Sequence, residues 1–405
     1  MPFRLALSGL NAATADLNVT ANNIANTATT GFKGSRAEFA ELFAVSPQGV
    51  SSTAVGNGVR VSDVSQQFTQ GSVDFTNNSL DLAVSGQGFF VLSDSGAQAY
   101  TRAGAFKTNS QGYVVNSQAQ RLQVYPPSAA GGFNTGALGD LRLVTSESAP
   151  SATTNVEFVM NLPASAAPPT NATFSAADTD SFNHATSLTV YDSLGAAHTQ
   201  TMYFVKTATP NQWQTHMFVD GTAVGGAQAL NFNASGQLTT PATGQITFPA
   251  YTPPTGALPI TVTADFSDAT QYGSTFGVNS VVQDGYTTGR LIGMDIDASG
   301  VVQARFTNGR SLTLGQIALA NFANPQGLQQ LGDTNWAETF GSGQSLKGQA
   351  GNSGFGLIQS GALEASNVDI TAQLVNMITA QRNFQANAQM ISTADSITQT
   401  IINIR

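Results

Sequence analysis

His184, His198 and His216 are the side chains best suited to hold a metal or relay a proton in this chain. None stands at a ligand spacing from another, so the sequence places them as strand residues, on a surface or half buried. Asp295, Asp297, Ser299 and Gly300 imitate the opening of a calcium loop, but the twelfth position is Phe306, where that loop requires a bidentate glutamate. A hairpin turn accounts for them better. Gly86-Gln87-Gly88 lacks the third glycine and the following helix of a dinucleotide loop, and reads as a bend between strands. No G-x-S-x-G, phosphate loop or convincing pair of carboxylates is found, and the absence of cysteine removes disulfides, thiolate metal sites and a cysteine nucleophile. The residues argue against an enzyme, and no catalytic, metal or cofactor residue is assigned.

Composition points the same way. The chain has 405 residues, enough for two or three domains, and only 10% of them are charged, against about 25% in an average protein. Gly, Ala, Ser, Thr, Asn and Gln fill the shortfall. The net charge of -9 argues against nucleic acid as a partner. No window approaches 18 apolar residues, so no membrane insertion is expected. The apolar run Leu5 to Leu10 is too short for a secretory signal, which implies a cytoplasmic protein or one exported without cleavage.

The elements that would have to carry a function stand at the two ends. From Ser366 to Arg405, Ile370, Leu374, Met377, Gln381, Phe384, Ala388, Ile391, Ala394, Ile397, Ile401 and Ile404 step by four and three, a coiled-coil-like seam. Two consecutive threes, Ile391 to Ala394 to Ile397, predict a local overwinding. Ser366, with Asp369 three residues on, predicts the helix start. The remaining positions are mostly neutral amides and hydroxyls rather than the Glu and Lys of a solvated face, which suits a helix surrounded by protein. A membrane-surface helix would need a basic polar face that is missing. Phe3, Leu7, Leu10, Thr14, Leu17, Ala21 and Ile24 repeat the pattern at the other end, so the two helices are expected to pair with each other or with copies of themselves. Each seam is expected to stay disordered in the monomer, lacking a partner until subunits stack.

Residues 27–72 read as an extended connector, with Ser46 to Gly58 its most turn-rich part and a short helical turn at Glu38 to Phe43. From Leu80 the period changes to two. Leu80 to Val84, Phe89 to Leu92, Tyr113 to Val115, Leu122 to Tyr125 and Leu141 to Val144 predict short strands, and a middle block alternates in the same way at His184 to Tyr191, Thr199 to Val205, Trp213 to Val219, Gln245 to Phe248 and Ile260 to Phe266. Leu291 to Ile296, Val301 to Phe306 and Ser311 to Phe322 resume the first style. Asn109 to Gly112, Asp192 to Gly195, Asn233 to Gly236 and Asp297 to Gly300 share the form Asn/Asp-x-x-Gly, which predicts four hairpin turns. The expected architecture is multidomain and mainly β, with long α-helices at both termini. Terminal helices 1–26 and 361–405 form a helical coiled-coil domain; 73–147 and 285–360 form an inner β domain in two segments; 148–284 form an inserted outer β domain.

Ala21-Asn22-Asn23-Ile24-Ala25-Asn26-Thr27-Ala28-Thr29-Thr30-Gly31-Phe32-Lys33 closely resembles the N-terminal signature of bacterial flagellar axial proteins, the rod and hook group. Gly361 to Asp369, Leu374 to Ile378 and Ala380 to Gln385 resemble its C-terminal signature. Leu82 to Phe90 and Tyr100 to Phe106 resemble the inner β domain of the group. Val190 to Gly195, Tyr203 to Lys206, Leu314 to Phe322 and Gly332-Asp333 carry a closer resemblance to its hook members. That resemblance implies self-association into a helical tube that acts as a short curved universal joint. It implies as partners the flagellar type III export apparatus, the hook cap protein, the distal rod protein and the hook-filament junction protein. The implied location is the hook of the flagellum. Subunit packing is then expected of Leu7, Leu10, Leu17, Ile24, Ile370, Leu374, Met377, Phe384, Ile391, Ile397 and Ile401. The alternatives are a distal rod or junction protein and, in another class, an extracellular carbohydrate-binding β protein, favoured by the strand-rich middle and Trp213.

Overall fold

A computed structural model describes residues 2–42, 56–129, 131–143 and 147–403. The expected Ser46 to Val55 part of the connector, Phe43, Val144, Ile404 and Arg405 lie outside the described residues. The chain is mainly β, with one long helix at each end, α1 (Pro2–Ala25) and α2 (Ile370–Asn403). Pro2 opens α1, where its fixed φ and missing N–H cost nothing. Asp369, not Ser366, caps α2: its Oδ1 accepts from the backbone N–H of Thr371 at 2.7 Å and of Ala372 at 3.2 Å. Ser366 instead accepts from Val368 N–H one turn earlier.

Two compact units are distinguished, residues 1–144, 293–305 and 311–405 in the first, and 145–292 and 306–310 in the second. In the first, the segment expected to be a connector with a helical turn is a β-hairpin. Strand β1 (Ser35–Glu41) pairs antiparallel with β2 (Val59–Gln66). The sequence signal is weak because only Ala37 of β1 and Ser65 of β2 are buried, so neither strand shows a full apolar face. The main sheet of this unit runs Val301–Phe306, Ser311–Asn321, Arg121–Tyr125, Phe89–Asp94, Ala97–Thr101, Asn335–Ala337 and Gln329–Gly332 in spatial order. Its central strands are buried on both faces. Phe90 and Leu92 enter one core with Ile317 and Leu319, while Phe89 and Val91 enter another with Ala318, Ala320 and Trp336. Unbroken apolar runs such as Phe89 to Leu92 follow from that double burial.

The second unit holds two sheets around one core. Asn155–Pro163 lies central in the first, parallel to Thr263–Asp265 and Thr270–Tyr272 and antiparallel to Gly277–Gln283. The second sheet runs His184–Tyr191, Ala197–Lys206, Gln212–Val219, Gln228–Phe232 and Leu238–Thr240. Phe158 and Phe266 stack at 5.1 Å, and Trp213, Phe204 and Met217 fill the same core. Its first and last strands close on each other: Ser148 bridges Gly289, Ser151 bridges Tyr286, and Asp284 accepts from the N–H groups of Thr154 and Asn155.

All four Asn/Asp-x-x-Gly segments form the expected turns. In each, the glycine N–H donates to the carbonyl of the first residue, at 3.0 Å in three turns and 2.9 Å in the fourth. In each, the first side chain accepts from two further N–H groups, as Asp297 does from Ser299 and Val301, both at 2.9 Å. Asp295 pairs with Arg305 at 2.9 Å, so the calcium-like residues serve a hairpin. A fifth copy, Asn116-Ser117-Gln118-Ala119, escaped the pattern because Ala119 takes the glycine place at φ +64°. Leu141 to Leu143 form no regular strand; Arg142 makes only an isolated bridge to Tyr113.

Candidate functional site: the paired terminal helices and a buried ion cluster

Within the first unit α1 and α2 pack antiparallel. Asn23 Nδ2 donates to Gln373 Oε1 at 3.3 Å near one end of the pair, and a Cβ placed on Gly9 would lie 2.4 Å from Asn387 Oδ1 near the other. These two contacts fix the register. Among the covered positions of α2, Gln373, Met377, Ala380, Phe384, Asn387, Ile391 and Ala394 alternate by four and three, with Ala388 of the expected seam half-buried beside Asn387. On α1 the facing series is Ala6, Gly9, Ala13, Asp16, Thr20 and Asn23.

The expected α1 seam of Leu7, Leu10, Leu17 and Ile24 is therefore one residue, or about 100°, off the seam the helices use. Leu7 is 42% exposed, and Leu10, Leu17 and Ile24 are half-buried beside the contact. On α2, Met377, Phe384 and Ile391, expected to pack between subunits, lie on the contact within one chain, whereas Ile370 and Leu374 are exposed. No double step of three is needed, since the pairing ends at Ala394, opposite the start of α1. Ile397 lies beyond it, 55% exposed, and the side chain of Ile401 is outside the described residues. The physical reason for the offset is size: Ala, Gly, Thr and Asn let the two backbones approach, and larger residues are displaced to the flanks. Each helix thus has a partner inside one chain, unlike the partnerless seam expected of a monomer.

Below this pair three of the quoted sequence signatures meet. Lys33 Nζ lies 2.6 Å from Glu364 Oε1, and Arg102 Nη1 3.2 Å from Glu364 Oε2, with the Lys33 and Glu364 side chains fully buried. Glu364 also accepts from Gly71 N–H at 3.0 Å, and its carbonyl accepts from Gly31 N–H at 2.7 Å. Further donors are used on backbone, Lys33 on Thr69 O at 2.7 Å, Arg102 on Gly86 O at 2.8 Å and on Val84 O at 3.3 Å, while Arg102 Nε is buried without an acceptor. The Gly86 to Gly88 bend thus delivers a carbonyl, not a phosphate cradle. Burial pushes Lys33 and Arg102 below their ordinary values, with Glu364 opposing the fall in both. Asn367 extends the clamp, accepting from Gly34 N–H at 2.8 Å and donating to Gln67 O at 2.6 Å, and Asn23 grips Ser35 through both its backbone groups. Such an arrangement can hold the two chain ends to the β1–β2 hairpin and the sheet; every charge in it is occupied by another.

The chain matches four family descriptions in order: flagella basal body rod protein at 3–33, flagellar hook protein FlgE/F/G D1 domain at 83–161, flagellar basal body protein FlaE D2 domain at 161–286 and flagellar basal body rod FlgEFG protein C-terminal at 359–404. It is 41% identical over its full length, and over that of the relative, to the flagellar hook protein FlgE of Salmonella typhimurium, and 42% identical at the same coverage to that of Escherichia coli. The chain belongs to the flagellar hook protein FlgE family. A more distant FlgE, from Borreliella burgdorferi, is 33% identical with 98% of both chains covered. The solved FlgE2 hook protein of Helicobacter pylori shares the fold at a TM-score of 0.54 and 15% identity, covering 72% of this chain and all of that one. In this chain the ion cluster and the helix seam both join the N-terminal and C-terminal segments.

The histidines sit elsewhere, in the second unit. His184 stacks on Phe276 and His216 on Phe174. His198 was missed as a buried ionic residue: it lies 2.6 Å from Asp220 and 3.3 Å from Asp192. Burial alone would lower its pKa, but hydrogen bonds to the two carboxylates outweigh it and hold His198 above 6.5.

Proposed function

We propose that this chain is the structural subunit of the bacterial flagellar hook, polymerising into a short curved tube that carries motor torque from rod to filament. One observation carries the reading: the helix pair of this FlgE family member leaves Leu374, Val375 and Ile378 of α2 and Phe3 and Leu7 of α1 exposed. Burying each large side chain against further copies would contribute about 1.5–3 kcal/mol. In this reading Leu7, Ile370, Leu374 and Ile397 make subunit contacts, while Leu10, Leu17, Ile24, Met377, Phe384 and Ile391 support the pair from within. Ile401 extends the α2 overhang.

The terminal helices would form the innermost layer, the β segments 73–147 and 285–360 the next, and the insert 148–284 the outer surface. Proposed partners are the export apparatus, which moves the chain without cleavage, the hook cap, the distal rod protein and the hook-filament junction protein. The role is mechanical rather than enzymatic. Electron microscopy of concentrated purified protein should show curved tubes; protein that remains monomeric, or forms only short caps as a junction protein would, overturns the reading. The carbohydrate-binding alternative loses its main support, because Trp213 is fully buried and offers no face to a sugar.

A further inference from the structure

The helix pair carries one carboxylate without a partner. Asp16 lies on the α1 seam, level with Ala380, and among the described residues it makes neither a hydrogen bond nor an ion pair. It lines a cavity of about 280 Å³ between α1, β1 and the start of α2, together with Thr20, Asn23, Gln373 and Asn376. Arg36 is the one cation lining that cavity, and it is bound to Glu38 at 2.9 Å. At roughly 30 Å³ per water, the space would hold a long side chain. Burial with no compensating partner pushes the Asp16 carboxyl above its ordinary value.

Arg382 is the complementary residue. It is exposed on α2, two residues from Ala380, and also has no partner among the described residues. Two residues of helix are about 3 Å of rise, so Arg382 and Asp16 stand at nearly the same level of the pair, yet they do not meet within one chain. The other unpaired cations among the described residues of this unit are less well placed: Arg4 is about 18 Å down the helix from Asp16, Arg60 is on β2 next to Val59, which bonds Ser8, and Lys107 is on a short strand opposite Val115. A planar guanidinium suits the site, since it can give a fork to the carboxylate and its remaining donors to amide oxygens such as those of Asn23, Gln373 and Asn376.

We infer that Arg382 of a second copy enters this cavity and pairs with Asp16. Each copy thus presents one donor and one acceptor to other copies; where these engage two different neighbours through a rotation that does not close a ring, the contact is heterologous and propagates into an open polymer. The inference rests on the self-assembly proposed above. It is tested by charge reversal with the full chain: Asp16→Arg and Arg382→Asp should each raise the critical concentration for tube formation at least about tenfold, and the double variant should return to within about threefold of wild type. Singles that assemble like wild type, or a double variant as poor as the product of the singles, overturn it. Asp16→Asn guards against misfolding: it should weaken assembly while leaving the monomer's thermal unfolding unchanged or raised, and a lowered monomer stability overturns the inference. Wild-type protein that never assembles would remove the function proposed above as well, which separates the two failures.

Discussion

Replacing Glu364 by glutamine removes the one carboxylate of the buried ion cluster while keeping its shape and its acceptor for Gly71 N–H. Lys33 and Arg102 are then left buried with no anion within reach. Breaking a buried pair in this way costs about 3–5 kcal/mol. At about 2–4 °C per kcal/mol for a unit of this size, thermal unfolding of the first unit should fall by about 6–20 °C. A pH series distinguishes lost charge from lost packing. Burial already holds Lys33 below 10.5 and Glu364 opposes that fall, so the substitution lowers its folded value further. Between the folded value and 10.5 the unfolded chain binds the proton that the folded chain sheds, so stability rises with pH across that window. The deficit of Glu364→Gln relative to wild type should therefore narrow as pH is raised from 7 toward 10. Differential scanning calorimetry at fixed ionic strength measures both quantities. A deficit below about 1 kcal/mol, or one that does not change with pH, would refute the assignment of this cluster as an obligatory ion clamp.

Ile378→Asp, on the exposed row of α2, should leave monomer unfolding unchanged and raise the critical concentration for tubes about 10- to 150-fold, measured by sedimentation; normal assembly would remove that row from the interface. Ala119→Gly should relieve the left-handed strain of the fifth turn and raise thermal unfolding of the first unit by about 1–4 °C. His198, held above 6.5, gives the second unit stability that is fully present below pH 6.5 and lost as pH rises through its raised value. His198→Gln should flatten that slope, and an unchanged slope in the variant would show that another group titrates.

What was legible in the sequence was what is local. The Asn/Asp-x-x-Gly turns were readable because acceptor, turn and glycine lie within four residues, and the fifth was not, because Ala119 hides the positive φ. Strand runs such as Phe89 to Leu92 were visible from apolar content alone. The helices themselves were clear, but the seam on α1 was displaced by one residue, because periodicity was counted on large side chains while the contact uses Ala6, Gly9 and Ala13. The β1–β2 hairpin was lost for want of an apolar face. The ion cluster had no local signal at all: Lys33, Arg102 and Glu364 are brought together only by the fold. Each sat inside a signature segment that could be quoted, yet nothing near any of them indicated the other two.

That separation along the chain bears on the order in which the fold can be completed. Gly9 meets Asn387 and Lys33 meets Glu364, so neither the helix pair nor the ion clamp can close until nearly the last residues are available. A chain broken off before residue 364 keeps two cations destined for burial and lacks the anion that makes their burial affordable. The fold therefore contains a check on its own completeness: an N-terminal fragment, however long its β portion, can lay its first helix on the β1–β2 hairpin but cannot close the pair, and is excluded from any structure that requires the closed pair.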